Sequence, residues 1–217
     1  VLPSVIQHYP EWYSAGTFTQ ATIEAALTAI GTAAAGGDTV TLLLRPGTWV
    51  ISSNADWSAY TNVTFKIVPG AVISHGAFTV NIPNRYIGEE PFQWLSGTGK
   101  ATLSGRISKV YPDEFTDNAI PGTTDMTTAV QAAVTTAGGN FPVELLPVRY
   151  LMSDTLNVGI TALNMTGPKS SLVYGPGSSG ATLKFTNAGV AVTSYAAPAD
   201  ATNASHVVLE NLTIDGN

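Results

Sequence analysis

The sequence contains the succession Val63-Thr64-Phe65-Lys66-Ile67-Val68, Pro69-Gly70, Ala71-Val72-Ile73 and Phe78-Thr79-Val80-Asn81-Ile82. Polar and apolar residues alternate in these runs, which is the pattern of a strand with one buried face. The Pro-Gly pair favours a tight turn, because proline presets φ and glycine permits a positive φ. The succession therefore predicts strands of about three to six residues at about ten-residue spacing.

Short strands at this spacing are typical of a sandwich, a barrel or a β-solenoid. The runs look like successive coils of a solenoid, and a helical stretch precedes each series, where it can cap the open edge of the first coil. Near the C-terminus the alternation places Leu212 and Ile214 inward and Thr213 and Asp215 outward. Asn211 either points outward with them or joins an inward asparagine ladder. A pair of Greek-key sandwiches is the alternative fold.

The sequence also repeats at an interval of about 100 residues. Tyr9-Pro10-Glu11-Trp12-Tyr13 returns 102 residues later as Tyr111-Pro112-Asp113-Glu114-Phe115. Gly36-Gly37 and Gly138-Gly139 keep the same offset. These offsets predict two tandem modules, residues 1–108 and 109–217.

Each module opens with a short Ala/Thr-rich segment whose apolar residues recur at helical spacing. The predicted buried faces are Ile23, Ala26, Leu27, Ile30 and Ala34, and then Met126, Val130, Ala133, Val134 and Ala137. Polar side chains are expected to cap the helix starts, and glycines are expected to end the helices. The expected caps are Thr19 or Thr22 and Thr124 or Asp125, and the expected stops are Gly36 and Gly138.

The low charge of the 217 residues excludes several kinds of partner. Charged residues make up 11% of the chain, against about 25% in a typical soluble domain. The nine basic residues are scattered and the net charge is -6, so no basic stripe exists for nucleic acid. No apolar run approaches the roughly 20 residues of a membrane span, so we expect no membrane insertion.

Few residues are available for metal or nucleophile chemistry. Cysteine is absent, which excludes disulfides, thiolate zinc sites and cysteine nucleophiles. His8, His75 and His206 are far apart in sequence and show no His-x-x-x-His spacing. No Gly-x-Ser-x-Gly motif occurs. We therefore expect no metal site and no cofactor.

Carboxyl groups are the remaining candidates for catalysis. Glycoside hydrolysis requires two carboxyl groups at a fixed separation, and a lyase requires a base and often Ca²⁺. The candidates are Asp215, Glu210 and Asp154, which would have to meet on neighbouring coils. They are weak candidates, because no Asp-Asp pair occurs and Asp215-Gly216-Asn217 is a turn-forming sequence. No complete catalytic site is predicted.

The aromatic residues indicate a binding surface. Trp57 and Tyr60 lie among polar residues, and exposed aromatic rings beside Asp and Asn suit stacking on a sugar. The alternative for Trp57 is packing on the helix or on a trimer partner. Trp12 and Tyr13 are expected to plug the underside of the first coil, and Trp94 is expected in a core or interface strand.

Several motifs resemble the start of a pectate-lyase-like right-handed parallel β-helix, in the form found in bacteriophage tailspikes and related polysaccharide-degrading proteins. In the second module these are the Thr-rich helix opening at 123–133, the following Gly pair, and the ending from Asn211 to Asn217. In the first module they are Arg45-Pro46-Gly47-Thr48-Trp49, similar to the turn after the family's first strand, and the segment from Tyr9 to Tyr13. The family's Gly-Asp-Gly-x-x-Asp-Asp opening is missing.

The resemblance implies an all-β, right-handed parallel β-helix in which each module is opened by a capping α-helix. It implies a homotrimeric, extracellular spike of the phage virion that contacts other tail proteins and host surface polysaccharide. This chain would then be a structural and attachment segment, with any depolymerase site mainly beyond residue 217. We expect a longer parent protein, because the second module stops directly after an apolar strand. The alternatives are a secreted polysaccharide lyase or glycoside hydrolase of the β-helix class, and a non-catalytic glycan-binding adhesin.

Overall fold

The computed structural model describes residues 6–14, 17–86, 91–105, 109–137, 141–157, 170–174, 181–186, 192–193, 206–210 and 212–216. Most of these residues form or join β-strands, and helices are few. The chain divides into two compact units, Val1–Ile107 and Ser108–Asn217. The sequence repeat placed a boundary between residues 108 and 109.

The first unit contains one α-helix, and 3-10 turns at Pro10–Trp12 and Ala33–Ala35 stand on either side of it. The helix α1 is Gln20–Ile30. The strands are β1 (Ile6–His8), β2 (Val40–Leu44), β3 (Gly47–Val50), β4 (Ala55–Asp56), β5 (Val63–Ile67), β6 (Ala71–Gly76), β7 (Val80–Ile82), β8 (Arg85–Tyr86), β9 (Leu95–Gly97) and β10 (Ala101–Leu103).

The second unit follows the same order, with a 3-10 turn at Pro112–Glu114 before its helix. The helix α2 is Thr127–Ala137. The described strands are β11 (Val143–Glu144), β12 (Arg149–Met152), β13 (Leu156–Asn157), β14 (Ser170–Tyr174), β15 (Ala181–Phe185), β16 (Val192–Thr193), β17 (His206–Glu210) and β18 (Leu212–Gly216).

Every pair of described strands is parallel. In the first unit the sheets are β1-β2-β5-β8, β3-β6-β9 and β4-β7-β10. In the second they are β11-β14-β17, β12-β15-β18 and β13-β16. From β2 and from β11 onward, each strand therefore pairs with the strand three places along the chain. These parallel pairings are incompatible with a Greek-key sandwich, whose strands pair antiparallel.

The register stacks apolar side chains on apolar side chains. Leu42 of β2 pairs with Phe65 of β5, and Leu44 pairs with Ile67. All four are buried, whereas Lys66 between them is partly exposed because successive side chains point to opposite faces of a strand. The largest fully buried side chains include Trp49, Trp94, Tyr150, Phe65 and Phe185.

Two buried asparagines tie neighbouring turns together. Asn84 donates from Nδ2 to the carbonyl oxygens of Thr61 and Val63, at 3.0 and 3.1 Å. Asn62 donates to two carbonyl oxygens of the preceding turns, at 3.0 and 2.8 Å. This arrangement satisfies backbone acceptors that a tight turn leaves unpaired. Asn211, for which an inward ladder position was considered, lies outside the described residues.

Helix α1 begins where the sequence predicts and ends earlier. Thr19 is its N-cap, since the Oγ1 of Thr19 accepts the N–H of Thr22. The helix ends at Ile30, because Gly31 adopts a φ of 78°, which glycine reaches at little cost. The predicted stop at Gly36 is therefore wrong.

The residues after α1 form the separate 3-10 turn Ala33–Ala35, which ends at Gly36 in the left-handed conformation. Ala34 is exposed there, so it is not part of the buried helical face. Ile23, Ala26 and Leu27 are buried as predicted.

Helix α2 follows its predicted face along its whole length. Val130, Ala133, Val134 and Ala137 are buried as predicted, as is Met126 just before the helix, and Ala129 and Thr136 are buried as well. At the helix start the Oδ1 of Asp125 accepts the N–H of Thr127 at 3.0 Å. The predicted stop, Gly138, lies outside the described residues. Within the part of the chain that the structure describes, no helix is long and apolar enough to cross a membrane.

Some strands are shorter than the sequence predicts. Residues 78–82 contribute only Val80–Ile82. In the second unit β11 is only two residues long, and Pro142 before it lacks a backbone N–H, which limits the pairing at its start.

The segments before the helices extend the sheets. Thr19 forms a parallel bridge with Val50, and Asp125 forms one with Leu151. Thr19, just before α1, therefore lies beside β3, and Asp125, two residues before α2, lies beside β12. β1 likewise pairs with β2, and Val110 bridges to β11.

Candidate functional site

The three predicted catalytic carboxyls lie on different parts of the second unit. Asp215 lies in β18 and Glu210 ends β17, and these strands belong to different sheets. The register partner of Asp215 is Lys184, a cation rather than a second carboxyl. Asp154 is exposed after β12 and accepts the N–H of its neighbour Thr155 at 2.7 Å.

A metal site or an activated nucleophile requires particular side chains to lie close together. Within the described residues, no group of three or more His, Cys, Asp or Glu side chains is placed to hold a metal ion. The closest approach to an activated hydroxyl is Ser153, which donates from Oγ to the Oδ2 of Asp125 at 2.6 Å. Burial alone would raise the pKa of Asp125, but hydrogen bonds from Ser153 and Thr127 lower it. A carboxylate held in this way is a weak base and serves here to hold the helix start.

Trp57, predicted to stack on a sugar, is only 2% exposed. Its ring stacks on Phe65, with the centroids 5.4 Å apart and 11° between the planes. Trp57 stands two residues after the buried Ala55, so both point inward, while Asp56 between them is exposed. The prediction of an exposed Trp57 is therefore wrong. Tyr60 is partly exposed and does not share a surface with that ring.

Trp12, expected as a buried plug, is 65% exposed, more than any other large hydrophobic side chain in the described residues. The 3-10 turn Pro10–Trp12 carries it, and the N–H of Trp12 bonds the Tyr9 carbonyl at 3.0 Å. The ring of Trp12 lies 4.9 Å from that of Tyr9 and 6.0 Å from that of His8. We refer to His8, Tyr9, Trp12, Tyr13 and the Glu11–Arg45 pair together as the Trp12 surface.

Contacts within the Trp12 surface hold its rings in place. The ring of His8 stacks on that of Tyr13, with centroids 5.8 Å apart and 15° between the planes. The Nδ1 of His8 and the hydroxyl of Tyr13 share a hydrogen bond. Partial burial raises the pKa of Tyr13. Trp12 therefore rests on aromatic neighbours whose own positions are fixed.

The Glu11–Arg45 pair is asymmetric. Arg45 donates from Nε and Nη2 to the same oxygen, Oε1 of Glu11, at 2.8 and 2.7 Å. The side chain of Glu11 is 9% exposed and that of Arg45 is 52% exposed. Among the described residues, no group bonds the second oxygen of Glu11, Oε2, which is buried. Part of the guanidinium of Arg45 thus faces solvent.

In the equivalent 3-10 turn of the second unit, Pro112–Glu114, the polar side chains are buried. Tyr150 donates its hydroxyl proton to Oδ2 of Asp113 at 2.9 Å and accepts the N–H of Leu146 at 2.9 Å. Burial raises the pKa of Asp113, although the hydrogen bond from Tyr150 acts in the opposite direction. Burial and the nearby charge of Asp113 raise the pKa of Tyr150.

Glu114, at the position equivalent to Trp12, is fully buried and accepts the N–H of Tyr111 at 3.1 Å. Lys109 and Glu144 form an ion pair of 2.6 Å beside this turn, and their hydrogen bond raises the pKa of Lys109. The ammonium of Lys109 also lies 5.2 Å from the ring centre of Tyr111. These groups pack on one another, so the turn of the second unit is a packing element rather than a binding surface.

No protein-family model, curated protein or solved structure matches this chain. The Trp12 surface is therefore chosen as the candidate site from its own geometry. Sequence reasoning missed it, because Trp12 and Tyr13 were interpreted as plugs beneath the first coil. The usable signal was Arg45, which directly precedes the turn after β2 and is the basic residue that meets Glu11.

Proposed function

We propose that this chain is a non-catalytic structural and attachment segment of a right-handed parallel β-helix of the phage-tailspike type. The observation that carries the proposal is the strand order, in which, from β2 and from β11 onward, each strand pairs with the strand three places later in the chain. A strand that pairs in parallel with the strand three places later is what a coil with three sides produces. The helices α1 and α2 would then cap the first coil of each unit, which protects its open edge.

A stack of such coils suits a mechanical role. Each coil contacts only its neighbours, and the parallel hydrogen bonds join one coil to the next. The side chains of Thr64, Asn81 and Thr182 point outward, and they are uncharged and partly exposed. In this proposal the segment is a rigid, extracellular part of a homotrimeric virion spike that contacts host polysaccharide and other tail proteins.

The dispersed carboxyls support a role without catalysis in this segment. Asp215, Glu210 and Asp154 lie on different elements. We propose that any depolymerase site of a parent protein lies mainly beyond residue 217. A secreted lyase or hydrolase would instead require acids that meet on one face.

Light scattering after gel filtration tests the proposal. We expect a stable species at three times the chain mass of 22.5 kDa. We also expect binding to bacterial surface polysaccharide without release of oligosaccharides. A monomer at all concentrations contradicts the trimeric spike, and binding by such a monomer favours the adhesin. Depolymerisation by this chain favours the lyase or hydrolase, and Ca²⁺ dependence then separates the lyase.

A further inference from the structure

Trp12 differs from the other tryptophans of the chain in its environment. The sequence holds four tryptophans, and Trp49, Trp57 and Trp94 are at most 2% exposed. Trp12 is 65% exposed, although burying such a ring would stabilise the fold. Neighbouring aromatic side chains support the ring from one side, so its position is defined even though it faces solvent.

We propose that the Trp12 surface is a binding site for neutral hexose units of a polysaccharide, with one sugar face stacked on Trp12. This inference deepens the proposed function and rests on it for the source of the glycan. An indole ring offers a flat apolar face, and a pyranose ring offers a matching face of C–H groups. An open ring rather than a cleft suits sugar units within a long chain.

Arg45 supplies the polar part of the site. Its Nε and Nη2 are bonded to Glu11, and the half-exposed guanidinium has further N–H groups that can donate to sugar hydroxyls. The Oε2 of Glu11 is covered in this structure, so Glu11 acts as a positioning residue that orients Arg45. The proposed ligand would therefore meet donors held by Glu11, the residue that precedes Trp12 in the 3-10 turn.

The charge balance favours a neutral sugar over an acidic one. Glu11 already provides a counter-charge for Arg45 at 2.7 Å, so a sugar carboxylate would compete with a bonded partner. The chain as a whole carries a net charge of -6, which repels anionic polysaccharides. Sugar hydroxyls incur neither penalty.

Intrinsic fluorescence gives a direct readout, because Trp12 is the one solvent-exposed tryptophan of the four. The probes are cellohexaose, mannohexaose and a galacturonic acid hexamer, titrated into the full chain. We expect at least one neutral hexasaccharide to shift the emission to shorter wavelength and to protect Trp12 from acrylamide quenching. The affinity should change little when NaCl is added, since the screening length of about 10 Å at 0.1 M affects mainly ionic contacts.

Three variants test the assignment by calorimetric titration. Trp12→Ala should weaken neutral hexasaccharide binding about tenfold, because it removes the stacking face. Arg45→Gln should weaken it about threefold, because the amide keeps fewer donors. Tyr86→Ala is the control, since Tyr86 is also exposed, at 53%, in the same unit but outside the Trp12 surface. It should leave the affinity unchanged.

Three results would overturn the inference. One is equal binding by Trp12→Ala and the unchanged chain, and another is no millimolar binding of either neutral hexasaccharide. The third is binding of the galacturonic acid hexamer alone, with strong salt dependence. Light scattering separates this inference from the proposed function. A trimer that binds no neutral hexasaccharide contradicts only the site, whereas a monomer that binds through Trp12 contradicts only the trimeric spike.

Discussion

The two Tyr-Pro turns have the same backbone and opposite surroundings. In each, the third residue of the 3-10 turn bonds back to the tyrosine carbonyl, through the N–H of Trp12 in the first unit and of Glu114 in the second. Trp12 is 65% exposed, whereas Glu114 is fully buried. The acid that precedes each also differs. Glu11 meets a half-exposed arginine, and Asp113 meets the buried hydroxyl of Tyr150.

The comparison separates what the fold requires from what each unit adds. The turn depends on proline, whose preset φ starts the 3-10 turn, and both units keep it. The buried aromatic after β2 and β11 is also kept, as Trp49 and Tyr150. Each bonds the backbone four residues earlier, at Arg45 O and Leu146 N. The side chains of the turn itself differ, since Trp12 is exposed and Glu114 is buried.

The largest effect is expected at Trp49. Trp49→Ala should lower the free energy of unfolding of the first unit by about 3–5 kcal/mol, because it leaves a cavity in the core. Trp12→Ala is the matched control and should cost less than about 0.5 kcal/mol, as for an exposed side chain. Urea denaturation followed by circular dichroism measures both. Equal losses would show that exposure does not separate the two tryptophans.

A smaller effect is expected at Tyr150. Tyr150→Phe leaves the carboxylate of Asp113 and the N–H of Leu146 without this partner, so it should cost about 1–3 kcal/mol. The control is Tyr86→Phe, which changes an exposed tyrosine. Hydrogen exchange of residues 110–152 locates the loss. If Tyr150→Phe is neutral, the inward polar cluster of the second unit does not stabilise it.

The two aspartates of the second unit should give opposite pH dependences. The folded state raises the pKa of Asp113 above 3.8, so its contribution favours folding at low pH and is lost as pH rises through the folded pKa. The pKa of Asp125 is lowered, so its contribution is present above 3.8 and is lost as pH falls through the folded pKa.

Asp113→Asn should therefore flatten the dependence of stability on pH above 3.8, and Asp125→Asn should flatten it below. Urea midpoints measured across this range for both variants check the signs. If Asp113→Asn steepens the dependence above this value, the folded state does not favour the protonated acid.

The smallest effect is expected at the surface ion pair. Arg45→Gln should change the free energy of unfolding by about 0–1 kcal/mol, because the guanidinium is half-exposed and solvent screens the pair. Thermal denaturation at low and high salt measures it, with Lys66→Gln as a control for loss of one positive charge. A loss above that of Tyr150→Phe would reverse the contrast between the two turns.

Much of the fold could be predicted from local pattern. The strand β5 lies where the alternation at 63–68 predicts it, and the buried face of α2 has the predicted residues. Alternation and helical spacing are properties of a few neighbouring residues. Parallel pairing was predicted only as part of the solenoid, with an antiparallel sandwich as its alternative. Short apolar strands suit both, and only long-range pairing distinguishes them.

The candidate site could not be predicted from the local sequence pattern. Trp12 follows Glu11 and Trp57 follows Asp56, so both tryptophans stand next to an acid in the sequence. In the structure one is 65% exposed and the other 2%. Sequence could not rank them, because Trp57 is buried by stacking on Phe65, a residue of another strand.

Residue type and spacing along the chain are enough to predict the repeat, many strand positions and the buried face of α2. The assembled fold is needed to establish that the described strands pair in parallel and that Trp12 rather than Trp57 meets solvent. Strand pairing joins residues at least 20 positions apart, and the ring of Trp57 is covered by a residue of a strand that follows it in the chain. The partner that covers a side chain, or leaves it open, is chosen only when the sheets assemble.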